Sequence, residues 1–229
     1  MINELLQEQI EYYQQRAPEY DEWFYRIGRY DRGAKHNQRW FDEVKVVQEA
    51  LNELGTGHEI LELACGTGIW TQKLLALGKT ITAIDVSAKS ISLNKRKVKS
   101  PKVKYQTQDL FEWEPDREYD LVVIAFWLSH VPPQKFDEFL DKVAKSVRSG
   151  GRLFIVDSRF HATATAKNHD YKNNDKIYQL RKLNNGDTFK VIKIYHSTEY
   201  IARKLSKLGF QTNANMTDRY FIYAVGEKL

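Results

Sequence analysis

Glycines, carboxylates and one histidine carry the chemistry offered by this sequence of 229 residues. The run Glu59 to Trp70, EILELACGTGIW, is an apolar, strand-like segment that ends at Gly66 and Gly68. A buried strand feeding a glycine turn and then a helix sets backbone N–H groups and a helix N-terminus beside a ligand, which suits a nucleotide or nucleotide-like cofactor. Glycine at 66 and 68 permits close approach and unusual φ values, where a β-carbon would obstruct one or both. Acids end the next two apolar segments. Asp85 closes TITAID, where its carboxylate can accept hydrogen bonds from a ribose diol, and Asp109 follows KVKYQTQ, placed to meet an adenine amino group. A dinucleotide fingerprint would need a third glycine at position 71, which is Thr71, and the Gly-Lys-Ser/Thr of a P-loop is absent.

His130, in AFWLSHVPP, lies just beyond the fourth segment. An imidazole of near-neutral pKa there would take a proton from a hydroxyl or ammonium group, and the competing reading is a histidine that only packs its loop. Trp40 and Trp127 are candidate walls of an apolar or aromatic acceptor pocket, with Asp157 and His161 as weaker polar candidates after the fifth segment. His161, His169 and Asp170 invite a metal reading, but their spacing matches no metal site, so no metal is expected. Cys65, the one cysteine, excludes an intramolecular disulfide and a cysteine-based zinc site, and fits a reducing compartment.

The elements that must position these groups alternate in kind. Short apolar runs at 58–64, 80–85, 102–108, 119–126 and 151–158 are separated by helical spacing at about 69–78, 87–97 and 134–147. That alternation predicts an α/β fold, a mostly parallel sheet with helices on both faces. The linker FEWEPDREYD lacks clear periodicity. Residues 177–195 read as a β-hairpin turning at Asn184-Asn185-Gly186-Asp187, because these residue types adopt positive φ most easily. A helix capped by Ser197 or Thr198 and stopped at Gly209 precedes two closing strands. The first 57 residues read as helices at about 2–16, 18–26 and 35–53, rich in aromatics that suit packing on the sheet or a lid over a ligand.

Hydrophobic residues are 42% and charged residues 28%, so neither a disordered chain nor a disulfide scaffold is indicated. The N-terminus lacks the apolar segment of a signal peptide and no run reaches membrane-spanning length, so a cytoplasmic location is expected. A net charge of +5 comes largely from scattered lysines, with one denser patch in KSISLNKRKVKSPKVK (89–104), which reads as a solvated helix face before a nucleic-acid surface.

In these motifs the sequence resembles the class I S-adenosylmethionine-dependent methyltransferases, in particular the small-molecule branch of ubiquinone- and menaquinone-biosynthesis type. LELACGTG is similar to the glycine motif, AIDVS to the ribose-binding strand end, QDLF to the adenine segment and SGGRLFIVD to the fifth strand; EYYQQRAPEYDEWF is similar to the N-terminal lid. The resemblance implies a Rossmann-like sheet with an antiparallel last strand, an N-terminal helical lid and an inserted hairpin. It implies one methyltransferase domain over 1–229: lid 1–57, cofactor core 58–157, substrate-cap insertion 158–196 and closing elements 197–229. S-adenosylmethionine would be the cofactor. Glu62 and the loop with Ala64, Gly66, Thr67 and Gly68 would hold its methionine part, and Asp85, Val86 and Ser87 its ribose. Asp109, Leu110 and Phe111 would read the adenine, Ala125 and Phe126 flank the sulfonium, and Tyr13 and Tyr20 close over it. Ala64 departs from the glycine common at its position. The implied reaction is in-line methyl transfer to oxygen or nitrogen of a small-molecule acceptor by a monomer or homodimer. An RNA acceptor, a noncatalytic S-adenosylmethionine-binding regulator and a nicotinamide oxidoreductase are the alternatives.

Overall fold

A computed structural model describes residues 2–169 and 177–229. Three helices open the chain: α1 (Ile2–Arg16), α2 (Tyr20–Tyr25) and α3 (Ala34–Asn52). Strands and helices then alternate as β1 (His58–Leu63), α4 (Ile69–Leu74), β2 (Gly78–Asp85), α5 (Ala88–Val98) and β3 (Val103–Thr107). After β3 come β4 (Tyr119–Ala125), α6 (Pro133–Ser146) and β5 (Val147–Ser158). The hairpin strands are β6 (Tyr178–Lys182) and β7 (Thr188–Ile192), followed by α7 (Thr198–Lys207), β8 (Phe210–Met216) and β9 (Phe221–Lys228).

The main sheet has the order β3-β2-β1-β4-β5-β9-β8. β1 pairs in parallel with both β2 and β4, so the winding reverses at β1/β4 and opens a crevice at the carboxyl ends of these strands. β9 runs antiparallel to β5 and β8, and β6 and β7 form a separate two-stranded sheet. The central strands β1, β2, β4 and β5 are buried on both faces over most of their length, which is why they read as near-continuous apolar runs, whereas β3 and β8 at the sheet edges are largely exposed. Ile60, Ile81, Leu121, Val123 and Phe154 face one core layer, joined by Trp40, Val44, Val47 and Leu51 of α3. Leu61, Leu63, Val122, Ile124 and Ile155 face the other, joined by Phe136, Phe139, Leu140 and Val143 of α6. Each fully buried aliphatic or aromatic side chain contributes about 1.5–3 kcal/mol.

Two boundaries differ from the periodicity. α4 stops at Leu74 rather than near 78, because Leu77 N–H bonds back to Leu74 C=O and β2 begins at Gly78. β5 begins at Val147, before the glycine pair: pairing shifts between Tyr119↔Val147 and Leu121↔Arg152, so Gly150, at φ +67°, sits in a bulge inside the strand. Among the described residues no helix is long and apolar enough to cross a membrane.

α1 lies along β7, and one buried amide joins them. Gln9 Oε1 accepts from Ile192 N–H (3.0 Å), while its Nε2 donates to His130 C=O (3.2 Å). Helix, hairpin and the turn after β4 are thereby fixed to a single side chain that is 2% exposed. Gln9→Ala leaves two buried backbone groups unpaired, each costing about 1–3 kcal/mol. Unfolding by denaturant is expected to show a loss of about 2–4 kcal/mol, with faster proteolysis within α1; a loss below about 0.5 kcal/mol would contradict this role.

Candidate functional site

The glycine turn follows β1 directly. Cys65 N–H bonds to Ile84 C=O, and Gly66 N–H donates to Asp85 Oδ2 at 2.9 Å. Asp85 Oδ1 accepts Ser87 N–H at 2.8 Å, and Ser87 Oγ caps α5 by accepting from Ser90 N–H. Asp85 is thus held rigidly at the tip of β2; burial raises its pKa while these two N–H groups oppose the rise. The two glycines answer to different constraints. A β-carbon on Gly66 would meet nothing within 4 Å, so the space there is open, whereas one on Gly68 would lie 2.5 Å from Asn94 Oδ1 and 3.2 Å from Asn94 Cα. What approaches the backbone at 68 is α5, through a side chain that also donates to Thr71 Oγ1 (2.9 Å) and to the carbonyls of Cys65 and Gly66. Ala64 adopts φ +58°, a left-handed conformation that normally favours glycine.

Three connected spaces meet at the strand ends. A cleft of about 740 Å³ is lined by Tyr13, Tyr20, Ala64, Gly66, Asp85, Val86, Asp109, Leu110, Phe111, Ala125, Phe126, Trp127 and His130. A smaller recess behind the glycine turn holds Glu62, Cys65, Thr67 and Trp70. The third space, about 560 Å³, is lined by residues including Arg16, Trp23, Arg159, Arg181, Lys193 and Tyr195. Tyr20 and Phe126 line all three, so their rings mark the junction. Phe126 holds φ +58° there, its N–H bonded to Val156 C=O; a bulky residue in this conformation is strain of the kind found at binding sites.

His130 and Tyr13 line both the cleft and the third space. His130 Nδ1 lies 2.6 Å from Ile192 C=O, so it carries the proton, and Nε2 accepts from Tyr13 Oη at 2.9 Å. Burial, aided by the charge of Lys193, pushes its pKa down to about 3. The expectation of near-neutral basicity is therefore corrected: desolvation of the cation keeps this imidazole neutral, as a hydrogen-bond acceptor. Burial raises the pKa of Tyr13 and Tyr20, so both hydroxyls stay protonated donors.

Glu62 is fully buried; Thr71 Oγ1 donates to its Oε2 at 2.7 Å, and burial pushes its pKa up to about 8, with the Asp85 charge adding to the rise. Phe111 N–H donates to Asp109 Oδ1 at 2.9 Å, fixing that carboxylate at the cleft rim. The N-terminal helices are fastened over the turn, with Thr67 Oγ1 donating to Asp21, Lys97 pairing with Asp21 at 2.5 Å, and Ser87 Oγ donating to Gln14 Oε1 at 2.6 Å.

The acceptor-pocket candidates separate. Trp127 lines the cleft, with its Nε1 buried and unbonded. Trp40 does not: it is core, packed edge-on to Trp23 and Phe221, with Nε1 donating to Phe24 C=O. Asp157 is buried beneath the third space, accepting from Ser129 N–H (2.8 Å) and pairing with Lys193 (3.4 Å). His161 accepts from Thr163 N–H and caps a short 3-10 turn, outside the linings just described. Among the described residues no cluster of His, Cys, Asp and Glu could hold a metal; Asp170 lies outside them. Sequence reasoning missed Asn94, Gln9 and the cations Arg16, Arg159, Arg181 and Lys193. Only Asn94 gave a signal, a polar residue in the otherwise apolar stripe of α5.

The residues fit S-adenosylmethionine: an acid at the tip of β2, open space at Gly66, an apolar cleft and a buried acid behind the turn. Residues 60–151 match the methyltransferase domain family. An uncharacterized methyltransferase of Staphylococcus carnosus (strain TM300) is 28% identical over 75% of this chain and 78% of its own length. The malonyl-[acyl-carrier protein] O-methyltransferase of Priestia megaterium is 34% identical over 56% of this chain, which spans about half (48%) of that protein. Among solved structures, the DhpI-SAM-HEP complex has a TM-score of 0.79 at 31% identity, covering 97% of both chains. The DhpI-SAH complex gives 0.76 at 30% identity, covering 98% of this chain and 97% of that one. The seven-stranded sheet, its switch-point cleft and these likenesses together make the chain a member of the class I methyltransferases, an enzyme that uses S-adenosylmethionine as its cofactor.

Proposed function

We propose that the enzyme transfers a methyl group to oxygen or nitrogen of a small-molecule acceptor by in-line displacement. The observation that carries this is the meeting of a cleft at the strand ends and a second, partly open space lined by cations at Tyr20 and Phe126. When bound, S-adenosylmethionine supplies a methyl group already activated on a sulfonium, so the chain's task is to bind, align and exclude water.

In this reading Asp85, with Val86 and Ser87 beside it, accepts hydrogen bonds from the ribose hydroxyls. Asp109 and the Leu110–Phe111 segment hold the adenine. Glu62 and the turn Ala64 to Gly68 hold the methionine portion, with Thr67 tying the turn to the lid. Ala125 and Phe126 face the sulfonium, and the rings of Phe126 and Tyr20 offer it π-faces. Tyr13 and Tyr20 on the lid separate the reacting atoms from water. His130 is the candidate catalytic residue. Its Nε2, now engaged by Tyr13, orients the acceptor by accepting a hydrogen bond, since its lowered basicity suits orientation better than deprotonation. Small-molecule acceptors are favoured by relatives with names such as ubiquinone biosynthesis O-methyltransferase.

Asp85→Ala removes an ionised acceptor whose hydrogen bonds contribute about 1.5–3 kcal/mol each. Calorimetric titration with S-adenosylhomocysteine is expected to show affinity reduced about 100-fold or more, while Asp85→Asn loses less; unchanged binding would overturn the assignment.

Glu62 yields a pH prediction. Its carboxyl titrates near 4.5 when unfolded and about 8 in the fold, so the folded state holds the extra proton between these values. Its contribution to stability is full below the unfolded value and declines as pH rises toward about 8. A bound ammonium group favours the carboxylate, so cofactor binding at about pH 7 releases a proton and tightens as pH rises. Titrations in buffers of different ionisation enthalpy measure that release. Glu62→Gln should abolish it, and wild type showing none would mean that Glu62 does not face the ammonium.

A further inference from the structure

Among the described residues, the second space carries more positive charge than its surroundings compensate. Its lining includes Arg16, Arg159, Arg181 and Lys193, contributed by α1, the segment after β5, β6 and the segment after β7. Among the described residues their hydrogen-bond partners are almost all neutral. Arg16 donates to the hydroxyls of Tyr12 and Tyr30, and its Nε is buried with no partner. Arg159 donates to the carbonyls of Thr217 and Asp218, and Arg181 to Gln179 Oε1 at 2.6 Å. Lys193 donates to Ser129 Oγ at 2.7 Å and pairs with Asp157. Among the described residues Asp157 is the one carboxylate ion-paired with any of the four. Gathering cations in a partly closed space is costly unless an anion joins them, and neutral partners fix their geometry without cancelling their charge.

Resting on the methyltransferase reading, we propose that this space is the acceptor site and that it takes a small molecule bearing a doubly charged, phosphate-like oxyanion. Tyr13 and Tyr20 line it, and the protonated Tyr20 hydroxyl can donate to such a group. An oxygen of the anion is the nucleophile: its lone pair forms the O–CH₃ bond as the C–S bond breaks, with that electron pair passing to sulfur. The sulfonium loses its positive charge, the anion loses one negative charge, and no proton moves. A general base is then unnecessary, which agrees with an imidazole that burial and Lys193 keep neutral.

The test uses the full chain saturated with S-adenosylhomocysteine, titrated with ethyl phosphate, propionate and propanol, in wild type, Arg181→Gln and Arg159→Gln. Ethyl phosphate is expected to bind at least tenfold more tightly than propionate, with no binding of propanol. Either substitution should weaken ethyl phosphate at least tenfold and leave S-adenosylhomocysteine affinity within twofold, because neither arginine lines the cofactor cleft. Circular dichroism melts confirm that the variants fold. Equal binding of propionate or propanol, or ethyl phosphate binding unaffected in both variants, would overturn the proposal while the cofactor reading stands. Loss of S-adenosylhomocysteine binding in wild type would instead overturn the reading on which it rests. Labelled methyl transfer to ethyl phosphate by wild type supports the step; no transfer by folded wild type that binds both ligands would contradict it.

Discussion

The site depends on one side chain pressed against one turn. Asn94 occupies the position that a side chain at residue 68 would need, and its amide draws the carbonyls of Cys65 and Gly66 toward α5. With those carbonyls turned away, the Gly66 N–H faces Asp85, and the two together form the inner wall of the cleft. Tyr105 on β3 donates to Asn94 Oδ1 at 2.8 Å, so the amide is held from both ends. The turn's shape is therefore set by α5 and β3, elements outside the glycine motif itself. Ala64 at positive φ is tolerated inside this frame because neighbouring contacts over-determine the turn.

A second constraint acts through charge. The larger cleft and the recess beside it carry acids, namely Asp85, Asp109 and Glu62, while the space across the junction carries cations. Phe126 and Tyr20 stand between the two fields. S-adenosylmethionine bears a sulfonium and an ammonium group and suits the acidic side. Opposite potentials on either side of an aromatic junction would draw two differently charged reactants into place and disfavour their exchange.

The parts of this architecture visible in the sequence are those with local periodicity. The runs at 58–64, 80–85 and 119–126 are buried on both faces and read as continuous apolar segments. The hairpin at 177–195 was marked by its Asn-Asn-Gly-Asp turn, and Asp85 and Asp109 by their places at segment ends. What stayed hidden depends on contacts distant in sequence. Gln9 meets residues 130 and 192, and the four cations of the second space come from separate elements, so no spacing rule joins them. The fifth run was read from Gly151 whereas β5 begins at Val147, because a glycine pair alone does not specify whether pairing resumes on the same strand. Trp40 was misplaced for a similar reason: an aromatic on a helix face suits a core as well as a pocket. The basicity of His130 could not be read locally, since it is set by burial under α1 and by Lys193.

The central claim is that methyl transfer occurs where the cleft and the cationic space meet. A crystal structure of the full chain with S-adenosylhomocysteine tests it most directly. The ribose hydroxyls should lie within hydrogen-bond distance of Asp85, the adenine against Leu110 and Phe111, and the sulfur beside Phe126 facing the cationic space. Ligand density in the cationic space instead, or a sulfur directed away from the Tyr20–Phe126 junction, would contradict the account.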